Sequence, residues 1–169
     1  MNRLDASQGF TGEDKRIAAR VMEVGRGLVV VANKWDLVEE RDRAFKELAE
    51  LLAPYARAPM LRTSAIGGTG VHRLPAVLSQ VHERWNHRAP TARVNEVVVA
   101  AQAEQQAPGG TRYRYATQVT AGPPRFVLFG AGPPAASYQR FLEGRLRRAL
   151  HLEGVPIGIR FRPGRRRTR

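Results

Sequence analysis

The stretch Leu28-Val29-Val30-Val31-Ala32-Asn33-Lys34-Trp35-Asp36 decides the fold of this 169-residue chain. Its first five residues are apolar and mostly β-branched, and they predict a strand that is buried on both faces, as the central strands of parallel sheets are. An Asn-Lys-x-Asp tetrapeptide follows at the carboxyl end of that strand, where open α/β sheets bind ligands. The stretch therefore predicts an α/β fold with a ligand site at this edge of the sheet.

The polar residues after the strand match the hydrogen-bonding edge of guanine. Guanine presents N1–H and an exocyclic amine side by side, and the carboxylate of Asp36 can accept from both, whereas adenine would leave it unpaired. The Asn33 amide can donate to the far edge of the base and brace nearby loops, and the Lys34 stem can lie along the base or ribose. Behind a second short strand comes Ser64-Ala65; we expect Ala65 N–H to reach the base O6 and Ser64 to shape the turn.

Only half of a nucleotide site is present in these residues. The sequence contains no G-x-x-x-x-G-K-[ST] loop, so nothing in it cradles the β- and γ-phosphates. An alternative interpretation of the tetrapeptide is a solvated turn in which Asp36 only caps the following helix. The preceding buried-type strand and the later S-A-x-G-x-x-G segment favour the guanine interpretation.

Composition excludes several classes of function. There is no cysteine, which excludes disulfides, thiolate metal sites and cysteine nucleophiles, and the four histidines lack ligand spacing with acidic partners. We therefore predict no metal ligands and no catalytic residues in this sequence. The N-terminus lacks signal-peptide features and no apolar run approaches 18 residues, so we expect a soluble cytoplasmic chain with no membrane partner.

The net charge of +13 is concentrated in the second half of the chain. Residues 91–169 carry 14 arginines and only four glutamates, whereas residues 1–90 carry 14 basic and 11 acidic residues. A segment this basic is expected to bind phosphate backbones, although a solvated surface in an arginine-rich composition is the alternative. The candidate RNA or ribosome contacts are Arg112, Arg114, Arg160, Arg162, Arg165, Arg166 and Arg167.

The first module alternates helices and strands. Thr11-Gly12-Glu13-Asp14 forms a capping-box pattern and predicts a helix to about residue 24. The predicted buried face of that helix is Ile17, Val21 and Val24. Further helices are predicted over 42–52 and 71–85 and a second strand over 60–63, which gives a parallel arrangement with only two strands.

A boundary at residues 86–90 separates the second module. Its pattern predicts helices over 91–105 and 137–150 and strands over 112–119, 125–129 and 157–162. The order α-β-β-α-β predicts a three-stranded sheet backed by helices. In the first of these strands, the tyrosines Tyr113 and Tyr115 are predicted to face one side and the arginines Arg112 and Arg114 the other.

Several stretches carry a specific family resemblance. They are Gly9-Phe10-Thr11-Gly12-Glu13-Asp14, Asn33-Lys34-Trp35-Asp36, Ser64-Ala65-Ile66-Gly67-Gly68-Thr69-Gly70, Tyr115-Ala116-Thr117-Gln118-Val119, Pro123-Pro124-Arg125-Phe126-Val127-Leu128-Phe129 and Glu153-Gly154-Val155-Pro156-Ile157. In this order they resemble the C-terminal portion of the Der (EngA) family, bacterial ribosome-assembly GTPases with two tandem G domains followed by a KH-like domain.

The resemblance implies a division into three parts. Residues 1–88 would be the C-terminal half of the second G domain, a partial P-loop-type GTPase domain. Residues 89–162 would be the small α+β KH-like domain, which in this family lacks the usual G-x-x-G clamp. Residues 163–169 would be a basic, disordered tail.

The resemblance also implies a function in late assembly of the large (50S) ribosomal subunit. The implied cofactor is GTP or GDP, with Mg²⁺ held by residues absent from this chain. The implied partners are the large subunit, its ribosomal RNA and the missing G-domain segments. Because the segments for Mg²⁺ and γ-phosphate are absent, we expect the isolated chain to bind GTP very weakly and not to hydrolyse it.

Two functional classes stay open from the sequence. The chain is either the distal part of a GTPase or a stand-alone, non-enzymatic RNA- or ribosome-binding fragment. An in-frame upstream phosphate-binding loop would favour the first, and a ribosome-binding signal directly before Met1 would favour the second. We favour the first, because a bare apolar strand without neighbours is an aggregation hazard.

Overall fold

The computed structural model describes residues 2–130 and 132–164. These residues form two compact units. Unit 1 contains the described residues up to Trp85 together with the segment Glu153–Pro156, and unit 2 contains Asn86–Leu152 and the described residues from Ile157 onward.

Unit 1 is built on a parallel sheet with the strand order β1–β2–β3. The strands are β1 (Asn2–Asp5), β2 (Val30–Asn33) and β3 (Met60–Arg62), and the helices are α1 (Gly12–Glu23), α2 (Arg41–Leu52) and α3 (Leu74–Asn86). The prediction of only two strands is wrong, because β1 pairs with β2 along its whole length. Leu4 is the one apolar residue of β1, so its sequence carries almost no strand signal.

Strand β2 is buried along its whole length, as the sequence predicts for a central strand. On one face, Val30 and Ala32 lie in a cluster with Leu4, Leu48 and Leu52. On the other face, the preceding residue Val29 packs with Leu61, Val81 and Val155. Apolar layers on both faces of a parallel sheet give the predicted α/β architecture.

Helix α1 begins as predicted, but Val21 is the one residue of its predicted buried face that packs on the core. Thr11 is the N-cap, and its side chain and that of Asp14 form the reciprocal capping box. Ile17 and Val24 are 38% and 50% exposed, which corrects the predicted buried face. The residues that pack on the cluster are Ala18, Val21 and Met22. Because Ala18 is only weakly apolar, the sequence pattern favoured its larger neighbour Ile17 as the buried residue.

Unit 1 also contains a segment from far along the chain. The Leu28 N–H donates to Gly154 O at 2.7 Å, and the Gly154 N–H donates to Ala56 O at 2.8 Å. The Arg84 guanidinium donates to Glu153 O at 3.3 Å. Val155 is fully buried. The core of unit 1 is therefore completed by the segment Glu153–Pro156, which is separated in sequence from the rest of the unit by all of Asn86–Leu152.

Unit 2 has the predicted α-β-β-α-β order. Its elements are α4 (Thr91–Glu104), β4 (Tyr113–Thr120), β5 (Arg125–Gly130), α5 (Ala136–Ala149) and β6 (Gly158–Pro163). The sheet order is β4–β5–β6, with an antiparallel first pair and a parallel second pair. The core brings Val94 and Val98 of α4 and Leu142 of α5 against Phe126 and Leu128 of β5. The helices therefore cover one face of the sheet.

A β-bulge places the two tyrosines of β4 on opposite faces. Tyr113 pairs with Gly130 and Tyr115 pairs with Phe129, so Arg114 is an extra residue between them. Tyr113 is buried in the core, whereas Tyr115 is 47% exposed. The prediction that both tyrosines face one side is therefore wrong, because the bulge breaks the strict alternation that the prediction assumed.

Side-chain amides complete the backbone hydrogen bonding of β4. The Asn95 amide donates to Ala116 O and accepts from Ala116 N, and the Gln102 amide does the same with Tyr113 O and N. These bonds occupy backbone N–H and C=O groups of β4 that would otherwise be free to pair with another strand. Buried Gln118 accepts from Ala89 N–H and donates to His87 O, which fixes the chain just before α4.

The end of the chain is described as far as Gly164. Pro163 is the last residue of β6, and the Gly164 N–H donates to Gly130 O at 2.8 Å. The first residue of the predicted tail therefore belongs to the strand and the second is hydrogen-bonded to β5, whereas residues 165–169 lie outside the described part. Within residues 2–130 and 132–164, no helix has the length and apolar character needed to cross a membrane.

Candidate guanine-binding site and basic surfaces

The carboxyl ends of β2 and β3 bring the predicted guanine-reading residues together. Asn33 is the last residue of β2 and is buried. Its Oδ1 accepts from Ala65 N–H at 3.1 Å and from the Thr63 hydroxyl at 3.2 Å. In addition, the Trp35 N–H donates to Thr63 O at 3.0 Å. These bonds hold the tetrapeptide and the Ser64-Ala65 loop in one arrangement.

The loop after β3 is closed by its own hydrogen bonds. The Ser64 N–H donates to Thr69 O at 3.0 Å, and the Ser64 hydroxyl accepts from Gly67 N–H at 3.2 Å. Gly70 has φ +76°, and a Cβ there would lie 2.2 Å from Arg62 O. Only glycine fits that position.

Asp36 lies in a short 3-10 turn over Trp35–Leu37 and is exposed. Helix α2 begins at Arg41 with Glu40 as its N-cap, so Asp36 does not cap it. Among the described residues, none donates a hydrogen bond to its carboxylate. An open cavity of about 600 Å³ lies beside it, lined also by Thr63, Ser64 and Arg73.

Lys34 has a left-handed backbone conformation, with φ 58° and ψ 34°. A non-glycine residue in this region costs about 1–2 kcal/mol and is typical of functional turns. Lys34 Nζ donates to Asp5 Oδ2 at 2.7 Å. This contact ties the tetrapeptide to the end of β1.

The Lys34 contact determines the titration of Asp5. The hydrogen bond from Lys34 and a second one from the Ser7 hydroxyl lower the pKa of Asp5 to about 2. The ordinary aspartate pKa is about 3.9, so the contribution of this pair to stability is complete above pH of about 4 and is lost as the pH falls through about 2.

We expect the variant Lys34→Met to raise the pKa of Asp5 towards 3.9, because the largest cause of its lowering is removed. The measurement is a ¹³C carboxylate titration of Asp5 by NMR. Lys46→Met, on the exposed surface of α2, is the control and should leave the Asp5 titration in place. An unchanged Asp5 pKa in Lys34→Met would contradict the assigned cause.

The site contains residues that sequence reasoning did not select. Thr63 anchors Asn33, and its position directly before Ser64 was the available signal. Arg62 lies with its guanidinium carbon 4.9 Å from the Phe45 ring centroid and 6.0 Å from that of Trp35. No local pattern connects Arg62 with these rings, because Phe45 lies in α2 and Trp35 in the turn after β2, both far from Arg62 in sequence.

The Ala65 backbone has a different partner from the expected one. Its N–H donates to Asn33 Oδ1. Contact with a guanine O6 therefore requires that N–H to be shared or released when a base binds. Ala65 is exposed and directly follows Ser64, which lines the cavity, and this position is compatible with either.

The candidate arginines of unit 2 lie in two separate places. Arg112 and Arg114 line an open cavity of about 460 Å³ between α4 and the start of β4. Arg160 and Arg162 lie on β6, at the opposite edge of the sheet. Arg165, Arg166 and Arg167 lie outside the described residues.

Comparisons with known proteins identify a family for the second half of the chain. Residues 88–162 match the family described as KH-domain-like of EngA bacterial GTPase enzymes, C-terminal. The chain is 42% identical to GTPase Der of Mycolicibacterium vanbaalenii over 166 residues, which is 94% of this chain and 35% of that protein. It is 39% identical to GTPase Der of Parvibaculum lavamentivorans over 169 residues, covering 94% of this chain and 36% of that protein.

A similar solved structure is Era in complex with MgGDPNP and nucleotides 1506–1542 of 16S ribosomal RNA. The TM-score is 0.39 at 15% identity, covering 96% of this chain and 63% of that one. The chain spans about a third of the length of the curated relatives it matches. Residues 88–162 are thus similar to the KH-like C-terminal domain of EngA, and the chain is similar to GTPase Der along nearly its whole length.

Proposed function

We propose that this chain supplies the guanine-recognition half of a GTP- and GDP-binding site, in a GTPase of the EngA type that acts in late assembly of the large (50S) ribosomal subunit. The observation that carries the proposal is the pair of hydrogen bonds from Ala65 and Thr63 to Asn33. They hold the base-reading tetrapeptide and the second loop side by side, with the Asp36 carboxylate left open to a ligand.

Each residue of the site has a defined role in this proposal. The Asp36 carboxylate accepts from guanine N1–H and the exocyclic amine. The Oδ1 of Asn33 is occupied, while nothing in the described part of the chain accepts from its Nδ2, so that group can donate to the base. The aliphatic stem of Lys34 covers the base or ribose, and the Ser64-Ala65 loop borders the O6 side.

The phosphate and magnesium half of the site is proposed to lie in other segments of such a GTPase. No group of three or more histidine, cysteine, aspartate or glutamate side chains is placed to hold a metal ion within residues 2–130 and 132–164. When GTP is bound, Mg²⁺ would neutralise its phosphate charge.

Nucleotide monophosphates test base recognition directly in the 169-residue chain. We expect GMP to bind on the order of millimolar affinity, because base contacts act without phosphate contacts. In a titration followed by ¹H–¹⁵N NMR, the amides of Asp36, Ala65 and their neighbours should shift with GMP and not with AMP. Equal shifts with both nucleotides, or shifts with neither, would contradict guanine recognition.

The basic second module is proposed to contact ribosomal RNA. We expect Arg165→Gln, Arg166→Gln and Arg167→Gln together to weaken RNA binding and to reduce the slope of log affinity against log salt by about 2–3. The measurement is fluorescence anisotropy with a labelled RNA at several salt concentrations.

A matched control separates a local contact from a change in net charge. Arg16, Arg20 and Arg43 lie in unit 1, where each forms an ion pair with a neighbouring glutamate. Changing these three to glutamine removes the same charge and should leave most of the salt slope intact. If both triple variants changed the slope equally, the tail would have no specific role.

A further inference from the structure

The face of the unit 2 sheet opposite its helices carries aromatic and basic side chains. Along one row of the register, Tyr115 of β4 pairs with Phe129 of β5, which pairs with Arg162 of β6. In the next row, Val127 pairs with Arg160. We call this surface the open face. Because paired residues in a sheet point to the same side, these side chains lie on one surface about 10 Å wide.

The core confirms which side chains belong to the open face. Phe126 and Leu128 are in the core cluster, and Ile159 and Phe161 pack against it, whereas their sequence neighbours Val127 and Arg160 are outside it. Alternation along β5 and β6 therefore points the latter residues away from the helices. The β4 bulge is what brings Tyr115 to this side.

The open face joins an aromatic pair to positive charge. The Tyr115 and Phe129 ring centroids are 5.7 Å apart, and Tyr115 is 47% exposed. Arg125, Arg160 and Arg162 are all exposed. None of the described residues on this face is acidic, and no described carboxylate forms an ion pair with these three arginines.

We propose that the open face binds single-stranded RNA, with a base stacked on the Tyr115–Phe129 pair and phosphates held by Arg160 and Arg162. This inference rests on the RNA-binding part of the proposed function and names its site. The combination of the exposed Tyr115 ring, the half-buried Phe129 ring and cations on one sheet surface matches an unpaired nucleotide, which presents a π-face and a phosphate together. The cationic surface disfavours an apolar protein partner.

Duplex RNA does not offer the same fit. Its bases are stacked and paired, so a ring on a flat sheet reaches only phosphates and ribose edges. The arginines alone would bind both forms of RNA through counterion release. Discrimination between single-stranded and duplex RNA therefore depends on Tyr115 and Phe129.

The test is equilibrium binding of the 169-residue chain to a single-stranded RNA 12-mer that contains 2-aminopurine, with a duplex of the same length for comparison. We expect tighter binding to the single strand and quenching of the 2-aminopurine fluorescence. Tyr115→Leu should weaken single-strand binding roughly 5- to 100-fold and abolish the quenching, because stacking is lost while apolar area is kept. Tyr115→Phe, the matched control, should retain both.

Two further variants test the phosphate contacts. Arg160→Gln with Arg162→Gln should reduce the salt slope by about 1.4 and leave quenching at saturation unchanged. Thermal unfolding followed by circular dichroism checks that all variants fold. If the chain binds RNA and Tyr115→Leu behaves like the parent, the open-face site is wrong and the proposed RNA function stands. If the parent chain binds no RNA, both the open-face site and the proposed RNA-binding function are wrong.

Discussion

Asp36→Asn should reverse base selectivity from guanine to xanthine when the chain is part of a polypeptide that also contains a phosphate-binding loop. Guanine offers two donors on this edge, which an ionised carboxylate accepts together. Xanthine replaces the amine by a carbonyl oxygen, and an asparagine amide can accept from its N1–H and donate to that oxygen. We expect the ratio of GTP to XTP affinity to fall by roughly 10²- to 10⁴-fold.

The structure indicates that Asp36→Asn removes no contact of the fold. Asp36 is exposed, and within the described part of the chain it accepts no hydrogen bond that the substitution would break. The loss should therefore be confined to nucleotide binding, with no change in unfolding. The measurement is competition of unlabelled GTP and XTP against a fluorescent GTP analogue.

Asp42→Asn is the matched control for charge and residue type. Asp42 is also exposed and lies in the first turn of α2. Its substitution should leave the ratio of GTP to XTP affinity unchanged. A variant Asp36→Asn that kept the parental preference for GTP would show that this carboxylate does not read the base.

Gly154→Ala should destabilise unit 1 by about 3 kcal/mol. Gly154 has φ +76°, and a Cβ there would lie 2.8 Å from Leu28 O and 2.7 Å from Pro59 Cδ. A left-handed conformation costs a non-glycine residue about 1–2 kcal/mol, and overpacking adds about 1–3 kcal/mol. The Leu28 N–H bond to Gly154 O is also strained by the same change.

Both tryptophans of the chain, Trp35 and Trp85, belong to unit 1. Tryptophan fluorescence during urea unfolding therefore reports on this unit. Gly144→Ala provides the control, because it lies in α5 of unit 2 and a Cβ there meets nothing within 4 Å. It should leave the tryptophan transition in place. Unfolding of Gly154→Ala within 1 kcal/mol of the parent would contradict the packing around Pro59.

Local patterns were sufficient for much of the fold. The capping box of Thr11 and Asp14 fixes the start of α1, and the order of elements in unit 2 follows from periodicity and breakers. The apolar stretch before Asn33 predicts the central strand of unit 1, and the structure places a strand on each side of it. These features depend on residues a few positions apart, which is the range over which sequence patterns act.

Other features depended on contacts that no local pattern carries. Strand β1 has one apolar residue and is defined by backbone pairing with β2. Strict alternation predicts Tyr113 and Tyr115 on the same face of the sheet. The bulge at Arg114 places them on opposite faces. A single extra residue in a strand reverses the side of every following side chain.

The sequence by itself determined which hydrogen-bonding groups follow β2, because residue types and their spacing set the donors and acceptors that a ligand would meet. The tertiary structure alone decided how that edge is held, through the bonds of Asn33 to Thr63 and Ala65. It also decided that Val155 belongs to the core of unit 1. Both depend on residues at least 30 positions apart, where backbone pairing and close packing, and not periodicity, determine which groups meet.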